Sequence, residues 1–211
     1  MSWVHLTKSQ RCRLLYCNPV CLLGTVDDSY EPNVMVISWL TPVNDVDTFL
    51  ISLNAKRRTS TSMRIGSTFS LSVVPGDSNE PVDLVLQVGS LHGPTEKAQL
   101  IADMCGPYMN DPSQACNGGE KLPFLSESPA HARCTIIDEW ASGNTRLQSK
   151  RGDLQQRLLL CSLDDVAVRH DAWSGKTMQC KMLSFAGTKT FMQQVPLGET
   201  RARHDGELES E

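Results

Sequence analysis

The chain has 211 residues, of which 40% are hydrophobic and 21% are charged, and its formal net charge is −4. These proportions predict one globular domain with a sizeable core and exclude a fibrous chain. The acidic balance argues against a general nucleic-acid binder, which needs an extended basic surface. The sequence contains no apolar run long enough to span a bilayer, and its start, MSWVHLTKSQRCRLL, does not resemble a secretory signal. We therefore expect a cytosolic protein with no membrane or nucleic-acid partner.

Four strands and two short helices are predicted for the first half of the chain. The first helix ends at Asn18-Pro19, because a residue before proline avoids helical geometry. The first two strands form a hairpin around the acidic turn Asp27-Asp28-Ser29. The helices cover residues 8–17 and 59–65, and the strands cover residues 20–26, 33–40, 49–53 and 68–74.

The second half predicts more helix, followed by two long strands. The helices cover residues 82–90 and 95–104, and the strands cover residues 131–140 and 157–170. A surface loop is predicted over residues 106–125, and a hairpin tip is predicted over residues 142–155. The tail, residues 197–211, has almost no apolar residue and is expected to be disordered, which leaves a single domain over residues 1–196. Many strands with few helices predict a mainly β fold with added helices, a closed or nearly closed antiparallel barrel.

A basic segment, residues 56–66 with the sequence KRRTSTSMRIG, follows the third strand. It carries four cations and four hydroxyls at the predicted start of a helix. Such a group of donors suits a phosphate or another compact anion. The alternative is that Thr59 or Ser60 caps a helix whose basic residues face water. Caps are commoner than phosphate sites, so the segment alone favours the cap.

Five stretches, in this order, resemble one known family. The first contains Asn-x-Met-x-x-Ser-Trp after an acidic turn, and the second contains Ser-x-Asn followed by Arg and Thr. The five are NPVCLLGTVDDSYEPNVMVISWLTPV, FLISLNAKRRTSTSMRIGSTFSLSVVP, VGSLHGPTEKAQL, ESPAHARCTIID and LSFAGTKTF. Together they resemble the flavin reductase-like, FMN-binding split-barrel proteins, which include flavoredoxin-like members. The likeness spans residues 17–192. It implies a six-stranded antiparallel split barrel that forms a homodimer and binds FMN near the subunit boundary.

The resemblance implies roles for the residues around the basic segment. Arg57 and Thr59 occupy the family's Arg and Thr positions and are expected to bind the FMN phosphate, with Ser60 as a further donor. Ser52 and Asn54 are expected to bond the ribityl chain or the phosphate. Their alternative is turn chemistry, because Asn readily bonds nearby backbone.

The second strand is expected to run past the flavin. There the backbone of Val36, Ile37 and Ser38 offers alternating donors and acceptors to the pyrimidine edge of the ring. Trp39 is expected either to flank the ring or to pack in the core.

Three further residues are expected near the flavin. Asn33 and Met35 are candidates for the mouth of the site. Lys97 is a candidate for the cation that stabilises the reduced ring, and its alternative is an ordinary solvated lysine at a helix start.

The resemblance implies an FMN-dependent oxidoreductase that moves electrons from NAD(P)H through flavin to an acceptor the sequence does not identify. Family members often carry a histidine before the last long strand, whereas this chain has Asp153-Leu154-Gln155 there. That departure leaves a non-enzymatic FMN-binding or electron-carrier protein as the alternative. A third hypothesis is a cysteine-based redox sensor or metal binder that uses Cys12, Cys17 and Cys21, although the chain has no CxxC.

Overall fold

The computed structural model describes residues 18–29, 31–77, 80–104, 122–140, 156–174, 178–187 and 190–194. These residues form ten strands, three α-helices and one short 3-10 helix, His170–Ala172. The strands are β1 Asn18–Pro19, β2 Cys21–Val26, β3 Pro32–Ile37, β4 Leu40–Pro42, β5 Thr48–Asn54, β6 Thr68–Val73, β7 Ala130–Trp140, β8 Gln156–Val168, β9 Met182–Gly187 and β10 Thr190–Gln194. The helices are α1 Thr59–Ser62, α2 Glu80–Ser90 and α3 Gly93–Met104.

Seven strands form one antiparallel sheet in the order β3-β2-β6-β7-β8-β5-β4. Its two edge strands, β3 and β4, are consecutive in the chain and are separated only by Ser38 and Trp39. Seven strands laid flat would put these edges roughly 29 Å apart, whereas three peptide units reach at most about 11 Å. The sheet therefore curls back on itself, which confirms the mainly β, antiparallel barrel-like fold.

The predicted strand over residues 33–40 is two strands, so that prediction is wrong in one respect. The chain leaves β3 at Ile37 and joins the opposite edge at Leu40, where β4 pairs with β5. The corner is held by a hydrogen bond from the Ser52 N–H to the Trp39 carbonyl, at 3.0 Å. The apolar pattern hid this corner, because Ile37 and Leu40 on its two sides both face the inner core and only Ser38 interrupts the apolar residues.

Two apolar clusters lie on the two faces of this sheet. Inside the curl, alternate side chains of the strands are fully buried, such as Leu23, Ile51 and Leu159. Outside it, α2 and α3 pack on β3, where Val34 meets Val88 and other apolar side chains of both helices. Complete burial of each such side chain contributes about 1.5–3 kcal/mol. The outer cluster fixes both helices beside β3.

The second sheet has three strands in the order β1-β9-β10. It joins the end of β6 through hydrogen bonds that link Val20, Val74 and Leu183, at 2.8–3.0 Å. None of the described helices has the length and apolar character needed to cross a membrane.

The predicted surface loop over residues 106–125 is wrong for its last four residues. Leu122 and Leu125 are buried. The Ser70 hydroxyl donates to the Pro123 carbonyl, and the Leu125 N–H donates to the Ser72 oxygen at 3.1 Å. The apolar residues 122–125 (LPFL) pack against the sheet because of their own hydrophobic side chains, although the residues before them are polar. The helix predicted over residues 8–17, the hairpin tip and the tail lie outside the described residues.

Gly24 of β2 contacts Pro123 within the segment of residues 122–125. A Cβ at this position would collide with the Pro123 carbonyl and the Ser70 hydroxyl. We expect Gly24→Ala to lower the free energy of unfolding by about 1–3 kcal/mol, since overpacking forces backbone to move. Gly89→Ala is the matched control, because its Cβ would stand in open space within α2 and would add roughly 0.4–1 kcal/mol. Equal urea midpoints for the two variants would contradict this packing.

Candidate functional site

A cavity of about 520 Å³ lies between β3, the turn before α1 and the turn between α2 and α3. Its volume is typical of a small-molecule site. The residues lining it are Asn33, Met35, Val36, Lys56, Arg57, Arg58, Thr59, Val88, Gly89, Leu91, His92, Gly93 and Lys97. Packing of both helices on β3 is what brings the basic segment and the helix turn together.

The charged residues that line the cavity are all positive. Four cationic side chains contribute to it, Lys56, Arg57, Arg58 and Lys97, and none of the described lining residues is Asp or Glu. The whole chain nevertheless carries a formal charge of −4. Concentrated positive charge in a concave site raises the local concentration of anions. The cavity is therefore built to hold a negatively charged ligand.

The helix α1 is not capped by a hydroxyl, so the cap alternative is wrong. Its N-cap position is Arg58, which has helical backbone angles and makes no capping hydrogen bond through its side chain. The N–H groups of Ser60 and Thr61 donate to the carbonyls of Arg57 and Arg58, at 2.9 Å each. The N–H groups of Ser60 and Thr61 are therefore not available to an anion, which leaves side chains such as those of Arg57 and Lys56 as candidate ligands.

Thr59 and Asn33 form a buried polar pair at the cavity. Asn33 Nδ2 donates to Thr59 Oγ1 at 2.9 Å, and both residues are buried. Across the ladder from Asn33 lies Thr25 on β2. Asn33 Oδ1 and Thr25 Oγ1 are both buried and have no hydrogen-bond partner in the described part of the chain. This corner of the site thus keeps unused hydrogen-bonding capacity.

Lys97 is buried beside β3, with only 6% of its surface exposed. Its Nζ donates to the Val34 carbonyl at 2.6 Å. Burial lowers the pKa of Lys97, the positive charge of Arg57 lowers that pKa further, and the Glu96 carboxylate acts in the opposite direction. The solvated-lysine alternative is therefore wrong, and the ammonium belongs to the cavity.

The arginines of the basic segment differ in their partners. Arg58 pairs with Asp27 at 3.4 Å and Arg64 pairs with Asp28 at 3.3 Å, so both are tied to the β2–β3 turn. A backbone hydrogen bond from Glu31 is the main cause that holds the pKa of Asp27 below its ordinary value. Arg57 has no carboxylate partner within the described ranges. It is thus the arginine best placed to bind an external anion.

Six of the twelve predicted site residues line the cavity, and six do not. Those at the cavity are Asn33, Met35, Val36, Arg57, Thr59 and Lys97. Those outside the lining are Ile37, Ser38, Trp39, Ser52, Asn54 and Ser60. For this second group a direct contact with a ligand stays a prediction.

The second group has other partners in the structure. Ile37 belongs to the inner core, and Trp39 is 43% exposed at the corner, so Trp39 does not pack in the core. The Ser52 hydroxyl donates to Gln156 at 3.4 Å. Asn54 Oδ1 accepts the Lys56 N–H at 2.9 Å, which is the turn chemistry given as its alternative.

The turn between α2 and α3 supplies an apolar part of the lining that the sequence did not assign. Val88 and Leu91 both contribute to it. Gly93 has a φ of +80°, which favours glycine, and a Cβ there would lie 3.5 Å from the Arg58 guanidinium. The sequence did contain a signal for this wall, because Val88 and Leu91 flank Gly89 shortly before the candidate residue Lys97.

The cysteines give no support to a redox or metal site in the described part of the chain. Burial raises the pKa of Cys21 and of Cys161 to about 12, so neither is a reactive thiolate at neutral pH. Among the residues the structure describes, no group of three His, Cys, Asp or Glu side chains is arranged to hold a metal ion. Cys12 and Cys17 lie outside these residues.

A curled antiparallel sheet with a cationic cavity against its edge strand defines a ligand-binding split barrel. Residues 13–182 match the family described as the flavin reductase like domain. The chain therefore belongs to the flavin reductase-like family. No curated protein matches it by sequence.

Solved structures share this fold at low sequence identity. An FMN-binding protein from Thermus thermophilus with bound 1-cyclohex-2-enone is 18% identical, with a TM-score of 0.64 over 92% of this chain and 96% of its own. Flavoredoxin of Desulfovibrio vulgaris (Miyazaki F) is 17% identical, with a TM-score of 0.62 over 86% and 89%. The NADH:FAD oxidoreductase of Streptomyces globisporus C-1027, in complex with NAD and FAD fragments, is 14% identical, with a TM-score of 0.60 over 93% and 98%.

The buried ammonium of Lys97 predicts a stability cost at neutral pH. The folded chain releases this proton below the ordinary pKa of 10.5, whereas the unfolded chain holds it up to that pH. The contribution of Lys97 to the free energy of unfolding therefore rises as pH climbs through the folded pKa towards 10.5. We expect this rise in urea unfolding of the wild type as the pH approaches 10.5 from below, and a smaller rise in Lys97→Met. Identical pH dependence in both proteins would contradict it.

Proposed function

We propose that this protein binds FMN in the cationic cavity and acts as an oxidoreductase of the flavin reductase type. It takes electrons from NAD(P)H and passes them through flavin to an acceptor. One observation carries the proposal. In an acidic member of the flavin reductase-like family, four cations and no described carboxylate line one cavity of about 520 Å³.

The residues present fit the three parts of FMN. For the phosphate, the Arg57 guanidinium offers a planar fork of donors, while Lys56 and the Thr59 hydroxyl lie at the same cavity. For the ribityl hydroxyls, Asn33 Oδ1 is a buried acceptor without a partner in the described chain. For the ring, the lining offers the apolar side chains Met35, Val36, Val88 and Leu91.

When bound, FMN supplies the redox chemistry by accepting hydride and passing electrons on. The chain's own contribution is binding, orientation and electrostatics. Lys97, held by the Val34 carbonyl, places a positive charge inside the cavity. A buried cation favours extra negative charge on the ligand beside it, so Lys97 would raise the reduction potential of the flavin. This scheme does not require an acid–base pair in the protein.

The alternative, an FMN-binding electron carrier without NAD(P)H activity, uses the same cavity. The Asp153-Leu154-Gln155 stretch that motivates it lies outside the described residues. Support for the NAD(P)H donor comes from family membership and from the fold shared with an NADH:FAD oxidoreductase. Steady-state oxidation of NADH or NADPH by the FMN-loaded protein separates the two functions.

We further propose that the protein is a homodimer. Leu159 and Cys161 of β8 face the inner core, so Leu158 and Leu160 face outward. Trp140 lies opposite Leu158, and Leu50 lies opposite Leu160, so these four side chains share the outer face. Trp140 is 50% exposed. This outer apolar stripe is suited to a second copy of the chain.

A cytosolic location also belongs to the proposal. Cys21, Cys134, Cys161 and Cys180 are all free thiols. Reducing compartments keep thiols in this state, which supports the cytosol.

The phosphate site predicts a specific loss of FMN affinity. Removing both candidate phosphate ligands, in Arg57→Ala/Thr59→Val, is expected to weaken FMN binding by on the order of 10- to 100-fold, because charge-assisted hydrogen bonds contribute about 1.5–3 kcal/mol. Fluorescence quenching of FMN measures this. Arg64→Ala is the matched control, since Arg64 belongs to the same basic segment but lies outside the cavity lining. Unchanged FMN affinity in the double variant would remove the assignment.

The outer stripe predicts the oligomeric state. Trp140→Glu is expected to convert a dimer to a monomer in sedimentation velocity, because it buries a charge in an apolar interface. Val46→Glu is the control, since Val46 is 83% exposed between β4 and β5 and is not one of the four residues of the stripe. A wild type that sediments as a monomer, or two variants that sediment alike, would contradict this interface.

A further inference from the structure

A partly buried ion pair lies between the start of β8 and the end of β7. Arg157 Nε donates to Glu139 Oε1 and Arg157 Nη2 donates to Glu139 Oε2, both at 2.7 Å. The two side chains are only 15% and 25% exposed. These hydrogen bonds lower the pKa of Glu139 and raise the pKa of Arg157, so both groups are charged at neutral pH. Sequence patterns do not predict this pair, because its members come from different strands.

The rest of the Arg157 guanidinium reaches the basic segment. Nη1 donates to the Ser60 carbonyl and, at 2.9 Å, to the Ser60 hydroxyl, and Nη2 also donates to the Met63 carbonyl at 2.8 Å. An arginine has five N–H donors, and these five hydrogen bonds use all of them. Arg157 therefore has no donor left for a ligand, and any effect on a ligand must pass through Ser60 and Met63.

One carbonyl that Arg157 binds belongs to the short helix α1, the other belongs to the residue after it, and this helix needs outside support. The helix α1 has four residues, too few to be stable alone, and the carbonyls at a helix end have no partners within the helix. Met63, the residue after α1, is 1% exposed in the inner core. On the other side, Thr59 bonds Asn33 at the cavity. Arg157 thus fixes the segment from the side away from the ligand.

We propose that Arg157 is a positioning residue for the anion site. Through its hydrogen bonds to Ser60 and Met63, Arg157 holds Arg57 and Thr59 at the cavity. Glu139 orients the guanidinium by its two hydrogen bonds. This inference rests on the proposed function, since it concerns the same phosphate site.

The test compares FMN with riboflavin, which lacks the phosphate, in the full-length protein. Arg157→Gln is expected to weaken FMN binding by about tenfold and to leave riboflavin affinity within about twofold. In the Arg57→Ala/Thr59→Val background, Arg157→Gln is expected to have no further effect on FMN, because both groups that it positions are gone. Arg157→Lys keeps the charge but loses the planar fork, so it is expected to behave like Arg157→Gln.

The possible outcomes separate the positioning role of Arg157 from the proposed function. The positioning role would be overturned by equal losses for FMN and riboflavin, by additive effects in the Arg57→Ala/Thr59→Val background, or by full FMN affinity in Arg157→Lys. If Arg57→Ala abolishes the preference for FMN while Arg157→Gln keeps it, the proposed function stands and this inference alone fails. A wild type that binds neither flavin overturns both. Thermal unfolding of each variant is measured first. If Arg157→Gln does not fold, Glu139→Gln replaces it, and this variant is expected to lose about threefold in FMN affinity.

Discussion

The two-residue connection between β3 and β4 is the constraint on which the rest of the structure depends. Because these strands are opposite edges of a seven-stranded sheet, Ser38 and Trp39 can join them only if the sheet curls. Curling creates an inner core and an outer face on β3, and the outer face is covered by α2 and α3. The cavity then forms where the helix turn meets the basic segment.

Within this frame, the basic segment is held from two directions. Asn33 binds Thr59 on the cavity side, and Arg157 binds the carbonyls of Ser60 and Met63 on the barrel side. Consecutive residues therefore have different roles, since the Thr59 hydroxyl belongs to the cavity and the Ser60 hydroxyl belongs to the Arg157 network. The positive charge of the site is local and is assembled on an otherwise acidic protein.

Much of this could be predicted from the sequence, because strand alternation and family motifs are local signals. The strand limits of β2, β5 and β6 and the participation of Arg57, Thr59 and Lys97 in one cavity follow from such signals. The corner at Ser38 and Trp39 could not be predicted, because apolar residues lie on both sides of it and only Ser38 interrupts them. The Arg157–Glu139 pair and the burial of Lys97 could not be predicted either, since both depend on contacts between elements far apart in the chain. The basic segment alone favours a helix cap, and a solvated lysine is the alternative for Lys97; tertiary packing contradicts both.

The bond between Lys97 and the Val34 carbonyl has a consequence beyond ligand binding. Val34 lies on an edge strand, where exposed backbone groups invite pairing with another chain. Here an ammonium occupies one such group and two helices cover the strand, while the other edge, β4, ends in Pro42, which has no N–H to donate. An ammonium and two helices at one margin of the sheet, and a proline at the other, thus reduce the number of backbone groups that are open to pairing with another chain.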